Sequence, residues 1–498
     1  MSFAVNLPLF CIVGSLICAV LSAALPGRAA KWLTRGLAAA VAVCSGLVLA
    51  CILGRGEPVI YTMGHYPHPC GNELSFGVLE PLVSGLFSLI LLLCLVGGSA
   101  ELERDTEPGK RNLYYAMADL ILAALLALLY TNDVFTGYVF IEILTIAACG
   151  VLMIRQVGRT TLASVRYMLF SLIGSGLFLL GVIFLYSVTG HLLMPELKQA
   201  VAALWASGEH RTALLTAIVL MTVGLSVKSG LFPFHFWMPD TYGYSTPASA
   251  GILSGLVSKG YILLLVKLIF RVFGTEVFYA CGVRNVLYVL GVAGMVAGSV
   301  SAMRENDIAR MIAFSSAAQI GYIYMGLGIS PELGVTAAIF HVLTHALTKP
   351  ALFLSAAKLR AVSGGSRRFR DLQGSAHKDP AAGAAFALGA FSMIGLPLTM
   401  GFIAKYLFAL AAFHAEERLV PTMLALALST ILNTFYFART VIRIYNTRDL
   451  GKVTPVRLRA QPAYAVSALA LAAVNVLFGV LSAPLISLLE RGVAMLGV

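Results

Sequence analysis

Apolar runs long enough to cross a bilayer follow one another along nearly the whole chain, separated mostly by short joins. Crossing the hydrocarbon core takes about 20 helical residues. On that measure the sequence holds about fourteen spans, near 4–25, 33–54, 78–99, 112–131, 133–154, 161–189, 211–238, 246–271, 283–303, 308–328, 334–358, 384–412, 421–446 and 461–489. Lipid offers no partner to a free N–H or C=O, so only helices and closed barrels cross it. The runs are continuous and rich in Leu, Ala and Gly rather than alternating every second residue, which excludes the barrel. An all-α integral membrane bundle is expected. Of 498 residues, 59% are hydrophobic and only 12% charged, so no long soluble segment remains and one polytopic membrane domain is expected.

The formal net charge of +12 is informative through its placement. Basic residues gather in alternate joins: Arg28, Lys31 and Arg35 after span one, Lys110 and Arg111 after span three, Arg155 and Arg159 after span five, Arg304 and Arg310 after span nine. Lys358, Arg360, Arg367, Arg368, Arg370 and Lys378 follow span eleven, and Arg443, Arg448, Lys452, Arg457 and Arg459 follow span thirteen. The positive-inside rule puts these joins in the cytoplasm and both termini outside, in a bacterial or archaeal plasma membrane. The basic balance is thus a topology signal, and no nucleic-acid site is expected. MSFAVNLPLF has neither a basic n-region nor a small-residue cleavage site, so the first run reads as a retained span and not a signal peptide. The eight Cys lie mostly inside spans with no C-x-x-C spacing, which argues against iron–sulfur or structural zinc. Cys70 and Cys281 fall in outer joins, where a disulfide is an open alternative. The 190–210 join reads as amphipathic and is expected to lie along the outer interface.

Against this apolar background, Glu142, Lys228, Lys259 and Lys405 stand near the middles of spans five, seven, eight and twelve. Span eleven adds His341, His345 and Lys349. A charge at bilayer depth costs about 2.5–3.5 kcal/mol on insertion scales, so five such spans describe a route for protons or cations. Glu142, in NDVFTGYVFIEILTIAACG, has no basic residue within a turn; it is either protonated or faces a cation on another helix. Lys228 is the expected partner, either as a proton switch or as a permanent pair that only joins two helices. Lys259 follows Gly251 and Gly255 at four-residue steps, a small-residue face that lets another helix approach and turns the lysine inward. Buried lysines can exchange protons near neutrality. Lys267 and Arg271, nearer the outer end, are expected to snorkel to water.

His341, His345 and Lys349 stand at i, i+4 and i+8, on one helix face, and read as a proton relay. The H-x-x-x-H spacing also suits zinc, but no third ligand is near and Lys349 would repel a metal, so no metal is expected. Lys405 is the candidate far end of the path. Asp119 of span four is expected to pair with Arg166 of span six, chiefly as structure. His235, Trp237 and Asp240 either shape an inlet or anchor the interface.

Two spans contain interruptions. KSGLFPFHFWMPD places Pro233 shortly after Lys228, and GLPLTMGFIAK places Gly395 and Pro397 before Lys405. Proline removes a donor and clashes with the preceding turn, so spans seven and twelve should kink or unwind. Such breaks survive at membrane depth only under cover of protein or a wet cavity. They are five spans apart, which suggests two inverted five-span repeats with an ion site at the breaks. The expected division is 1–110 (spans one to three), 111–272 (first repeat), 283–446 (second repeat) and 461–489 (span fourteen).

The segments FIEILTIAACGVLM, KSGLFPFHFWMPDTYGYSTPASA, RENDIARMIAFSSAAQIGY, HALTKPALFL and GLPLTMGFIAKYL cover most of 130–412. They resemble the antiporter-like subunit family shared by respiratory complex I, membrane-bound hydrogenases and multisubunit Mrp-type sodium/proton antiporters. The resemblance implies a fourteen-helix bundle with two inverted five-helix repeats and broken helices seven and twelve. It implies a charge pair at Glu142 and Lys228, a link between half-channels at Lys259, a continuing path at His341, His345 and Lys349, and a terminus at Lys405. One branch carries glutamate in span twelve, and Lys405 argues against it. The longest branch adds a lateral helix after span fourteen, which is not expected here. The D-type antiporter subunit and its hydrogenase counterpart are favoured over the quinone-proximal complex I type, on the FPFHFWMPD…STPASA stretch.

The leading expectation is an ion-translocating subunit of a hetero-oligomeric membrane complex, moving H+ and in some cases Na+, with a peripheral redox arm as one form. No dinucleotide fingerprint, haem ligand pair or Cys cluster is visible, so no cofactor is expected and any redox chemistry would belong to partners. A stand-alone carrier of an organic solute and a purely structural membrane anchor are the readings from other classes.

Overall fold

The computed structural model describes residues 3–66, 71–447 and 461–497. Among these, thirteen helices are long and apolar enough to cross a membrane. They are Phe3–Ala24, Gly27–Arg55, Leu79–Gly97, Pro108–Tyr130, Val134–Met153, Gly158–Thr189, Arg211–Tyr244, Pro247–Phe273, Val283–Arg304, Ile308–Ile329, Leu333–Ala361, Glu416–Tyr445 and Pro462–Val480. The shorter helices Pro380–Ile394 and Met400–Phe413 occupy the place of span twelve. The bounds agree with the sequence reading to within about six residues except at the end of span fourteen, and spans are numbered as above.

Local chemistry sets several ends. Asp133, Asp307 and Asp379 are N-caps whose carboxylates accept from Thr136, Ala309 and Ala382 backbone N–H groups. Two breaks share one design. Span seven stops at Ser229, where Gly230 is left-handed at φ +81°, and Leu231 N–H returns to the Ser226 carbonyl at 3.0 Å. Span twelve stops at Ile394, where Gly395 has φ +88° and Leu396 N–H returns to Phe391 at 3.0 Å. Both are Schellman ends followed by a proline that cannot resume the helix. After its break, span seven continues as the turn Phe234–Trp237 and the helix Met238–Tyr244.

The final run differs from expectation. Span fourteen is Pro462–Val480, and a second, amphipathic helix, Ser482–Leu496, follows it in place of one span to 489. Pro484 has no N–H to continue the ladder across the joint. The second helix buries Leu485, Leu489, Gly492, Val493 and Leu496. The join after span two contains a hairpin, strands β1 (Val59–Thr62) and β2 (Glu73–Phe76), antiparallel with Val59 opposite Phe76. The 190–210 join carries the helix Met194–Ser207, which buries Met194, Leu197 and Val201. Cys70 lies outside the described residues, as do Arg448, Lys452, Arg457 and Arg459. The Cys281 thiol donates to the Phe278 carbonyl at 3.1 Å, and burial pushes its pKa up.

Spans eight and eleven are enclosed through their apolar middles, and spans four and ten nearly so, while one, two, six and thirteen are mostly on the outside. Spans eight and eleven meet at glycine. A Cβ added at Gly255 would lie 2.9 Å from Pro350 Cγ and 3.2 Å from the Ala346 carbonyl oxygen. Gly255→Val should push these helices apart and destabilise the fold by about 1–3 kcal/mol. A melting temperature in detergent equal to that of the wild type would contradict this packing.

Candidate functional site

The two most enclosed helices carry four of the seven ionisable groups expected along the path. Lys259 on span eight and His345 and Lys349 on span eleven are fully buried, and His341 is 2% exposed. Span eight departs from α geometry in two wide π turns, Leu253–Val257 and Ile269–Phe273. Such turns recur at functional sites. The Lys259 ammonium reaches back to the Ser254 carbonyl in the first of them and lies 3.3 Å from Ser258 Oγ. Lys349 donates to the Ile312 carbonyl at 3.1 Å and to Ser315 Oγ, both on span ten. Lys259 and Lys349 act on each other and on His345 through space.

Toward span twelve, the rings of His345 and His341 are 6.5 Å apart, and His341 is 5.3 Å from Tyr322. Lys405 sits over Tyr322 at 5.8 Å. Its ammonium donates to the Ile394 carbonyl at 2.5 Å and to Thr430 Oγ1 at 2.7 Å. It therefore binds the last carbonyl of the first half-helix, the negative end of that helix dipole. All four ring nitrogens of His341 and His345 are buried without a protein partner.

Toward span five, Lys228 occupies the last turn before the Gly230 break and is 1% exposed. It donates to Thr145 Oγ1 at 2.7 Å and lies over the Tyr261 ring at 5.3 Å. Tyr261 is one helical turn beyond Ser258 and has its hydroxyl 3.3 Å from Thr145. Glu142 acts on Lys228 through space, but no ion pair joins the two among the described residues. In place of the direct pair expected from sequence, Lys228 bonds the hydroxyl of Thr145, one turn beyond Glu142 on the same helix. Glu142 is half-buried, with Oε1 enclosed and unpartnered.

Three further expectations change. Asp119 does not meet Arg166: it accepts from Ser22 Oγ at 2.7 Å and Thr34 Oγ1 at 3.0 Å, while Arg166 pairs with Asp240 at 2.7 Å. Asp240 also binds Arg310, which reaches Glu305 at 2.9 Å. Lys267 and Arg271 do not snorkel; they are 3% and 5% exposed. Lys267 binds the Leu129 and Thr131 carbonyls at the end of span four, and Arg271 pairs with buried Glu80 at 3.3 Å. His235 and Trp237 are buried rather than interfacial, and His235 stacks between Phe232 and Phe236 at 5.6 and 4.7 Å. The hydroxyls of Thr145, Ser315 and Thr430 and the rings of Tyr261 and Tyr322 escape a reading of the sequence, since such residues are ordinary in membrane helices and only the fold brings them to lysines.

The sequence pattern of the NADH:quinone oxidoreductase/Mrp antiporter transmembrane family matches residues 131–432. The chain belongs to this family. The matched stretch includes Glu142, Lys228, Lys259, His341, His345, Lys349 and Lys405, and leaves out Asp119. NADH-quinone oxidoreductase subunit N of Desulforudis audaxviator (strain MP104C) is 36% identical over 450 residues, 88% of this chain and 86% of that one. The D-type subunit of the Na(+)/H(+) antiporter of Alkalihalophilus pseudofirmus (strain ATCC BAA-2126 / JCM 17055 / OF4) is 26% identical over 389 residues, 78% of this chain and 76% of that one. The FPFHFWMPD…STPASA stretch therefore does not by itself favour the antiporter branch over the respiratory one. Among solved structures, a chain of the archaeal membrane-bound sulfane sulfur reductase superposes with TM-score 0.88 at 22% identity, covering 100% of this chain and 98% of that one. A chain of the Mrp complex from Dietzia sp. DQ12-45-1b gives 0.87 at 24%, with the same coverage. These likenesses establish a shared antiporter-like membrane fold.

Proposed function

We propose that this chain is the proton-translocating, antiporter-like subunit of a multisubunit membrane complex, with Na+ as the alternative ion. The observation that carries the reading is the burial of Lys259, His341, His345 and Lys349 in the enclosed middles of spans eight and eleven, with Lys228 and Lys405 flanking them. Burying amines and imidazoles away from carboxylates is costly, and no packing role requires so many. Confined ammonium charges repel, so a proton arriving at one site changes the cost of keeping one at the next. Buried polar groups without protein partners are commonly met by water, which would complete a relay between His341 and His345.

The route would run from Glu142 and Lys228 through Lys259, His345, Lys349 and His341 to Lys405. His235, Asp240 and Arg166 lie beside the span-seven break and would shape the inlet. Two inverted five-span blocks, 111–272 and 283–446, are supported by matching features five spans apart. The Schellman breaks are one. The capping residues Asp133 and Asp307, each in an Asn-Asp pair and each in an isolated β-bridge, to Leu193 and Arg368, are another. The basic joins support a plasma-membrane orientation with both termini outside. Relatives named as subunits support membrane partners, and a peripheral redox arm would belong to a respiratory form.

Vesicles reconstituted with the purified complex test the proposal. Turnover or an imposed Na+ gradient should drive a pH change across the membrane, and neither driving force moving protons would refute it. In the same assay Glu142→Gln, which keeps the shape and removes the charge facing Lys228, should lower coupled flux at least about tenfold, or ~1.4 kcal/mol. Flux at the wild-type rate would reduce Glu142 to scaffolding.

A further inference from the structure

Asp119 stands away from the route just described, in the contact between spans one, two and four. It is fully buried, as are Ser22 and Thr34, whose hydroxyls both donate to its Oδ2. Its Oδ1 is equally enclosed and has no partner. Arg166 is engaged by Asp240, and no lysine or arginine among the described residues forms an ion pair with Asp119. The Cys18 thiol of span one feels its charge through space.

The carboxyl has three possible states. Ionised and alone, it is an uncompensated buried charge, which is strongly unfavourable. Protonated, it carries its hydrogen most readily on Oδ1, since both hydroxyls donate to Oδ2, and that donor then has no protein partner among the described residues. With a cation on Oδ1, the charge is balanced and the open oxygen is used. Each hydroxyl keeps lone pairs after donating to Oδ2, so Ser22 and Thr34 can also offer oxygen to the ion. Ser22 lies in the last turn of its helix, at the negative end of the helix dipole. A single carboxylate balances a single positive charge, and an all-oxygen donor set suits a hard ion.

We propose that Asp119, Ser22 and Thr34 form a Na+ site, separate from the conduction route and outside the stretch matched by the family pattern. It ties spans one, two and four together. The proposal does not depend on the conduction reading, because it is read from binding and not from flux.

The test uses the full chain, purified with its bound partners into nanodiscs, and titrated with NaCl against choline chloride at constant ionic strength. NaCl should raise the melting temperature of the wild type, KCl should do so less, and the infrared difference spectrum should gain a carboxylate band. Asp119→Asn should abolish both responses. The Ser22→Ala/Thr34→Val double variant keeps the carboxylate, and should shift the Na+ midpoint up at least about tenfold. It serves as the arbiter if the asparagine variant does not fold. Equal melting of the wild type in NaCl and choline chloride, a Na+ response retained in Asp119→Asn, or an unchanged midpoint in the double variant would each overturn the proposal. So would an equal response to K+.

Discussion

Replacing Lys228 by alanine is expected to stop coupled ion movement while leaving the bundle assembled. Lys228 is the charged group at the end of the first half of span seven, and its ammonium spends its one direct bond on the Thr145 hydroxyl. When the lysine is removed, Thr145 keeps its bond to the Ile141 carbonyl at 2.8 Å, so that hydroxyl is not orphaned. What is lost is the cation that faces Glu142, and with it the coupling between spans five and seven. The truncation also opens a cavity, at a cost of about 2–5 kcal/mol by analogy with Met→Ala. Lys228→Met fills that space and separates the two effects. Both variants should lose at least about tenfold in ion flux, whereas the methionine variant should melt close to the wild type. Near-normal flux in Lys228→Met would remove Lys228 from the path.

Lys405→Arg should fail nearly as badly, although it conserves charge. The lysine fits a slot between the Ile394 carbonyl and Thr430 Oγ1, with its Cε and Nζ 3.1 and 3.2 Å from where a Gly395 Cβ would stand. Arginine is longer, forks, and does not release its proton in proteins. If Lys405 hands a proton onward, a loss of at least about tenfold in flux follows. If it only neutralises the carbonyl end of the half-helix, arginine does that job and flux stays near normal. Vesicle flux of this variant beside Lys405→Gln distinguishes the two roles.

Features encoded over a few residues were legible in the sequence. The glycine and proline of both breaks, Gly230 with Pro233 and Gly395 with Pro397, lie within four residues of each other. Features that depend on distant partners were not. Asp119 meets hydroxyls 97 and 85 residues away, and nothing local distinguishes Ser22 or Thr34 from other small polar residues in these helices. A lysine near a span end usually snorkels, which on sequence alone places Lys267 in water. The carbonyls at the end of span four and the Glu80–Arg271 pair give that region an interior the sequence could not reveal. The second helix after span fourteen was missed because its apolar residues extend the preceding run without a gap in hydropathy, and Pro484 is the only local sign of the joint.

The same gap separates the list of titratable residues, which the sequence supplied, from their connection, which rests on helices eight and eleven lying together at the centre. An experimental map of the intact complex in lipid, at a resolution that shows water, examines that connection most directly. Ordered waters joining Lys228, Lys259, the two histidines and Lys405 in one continuous chain are expected. A dry, close-packed apolar seam between Lys259 and His345 would contradict the account.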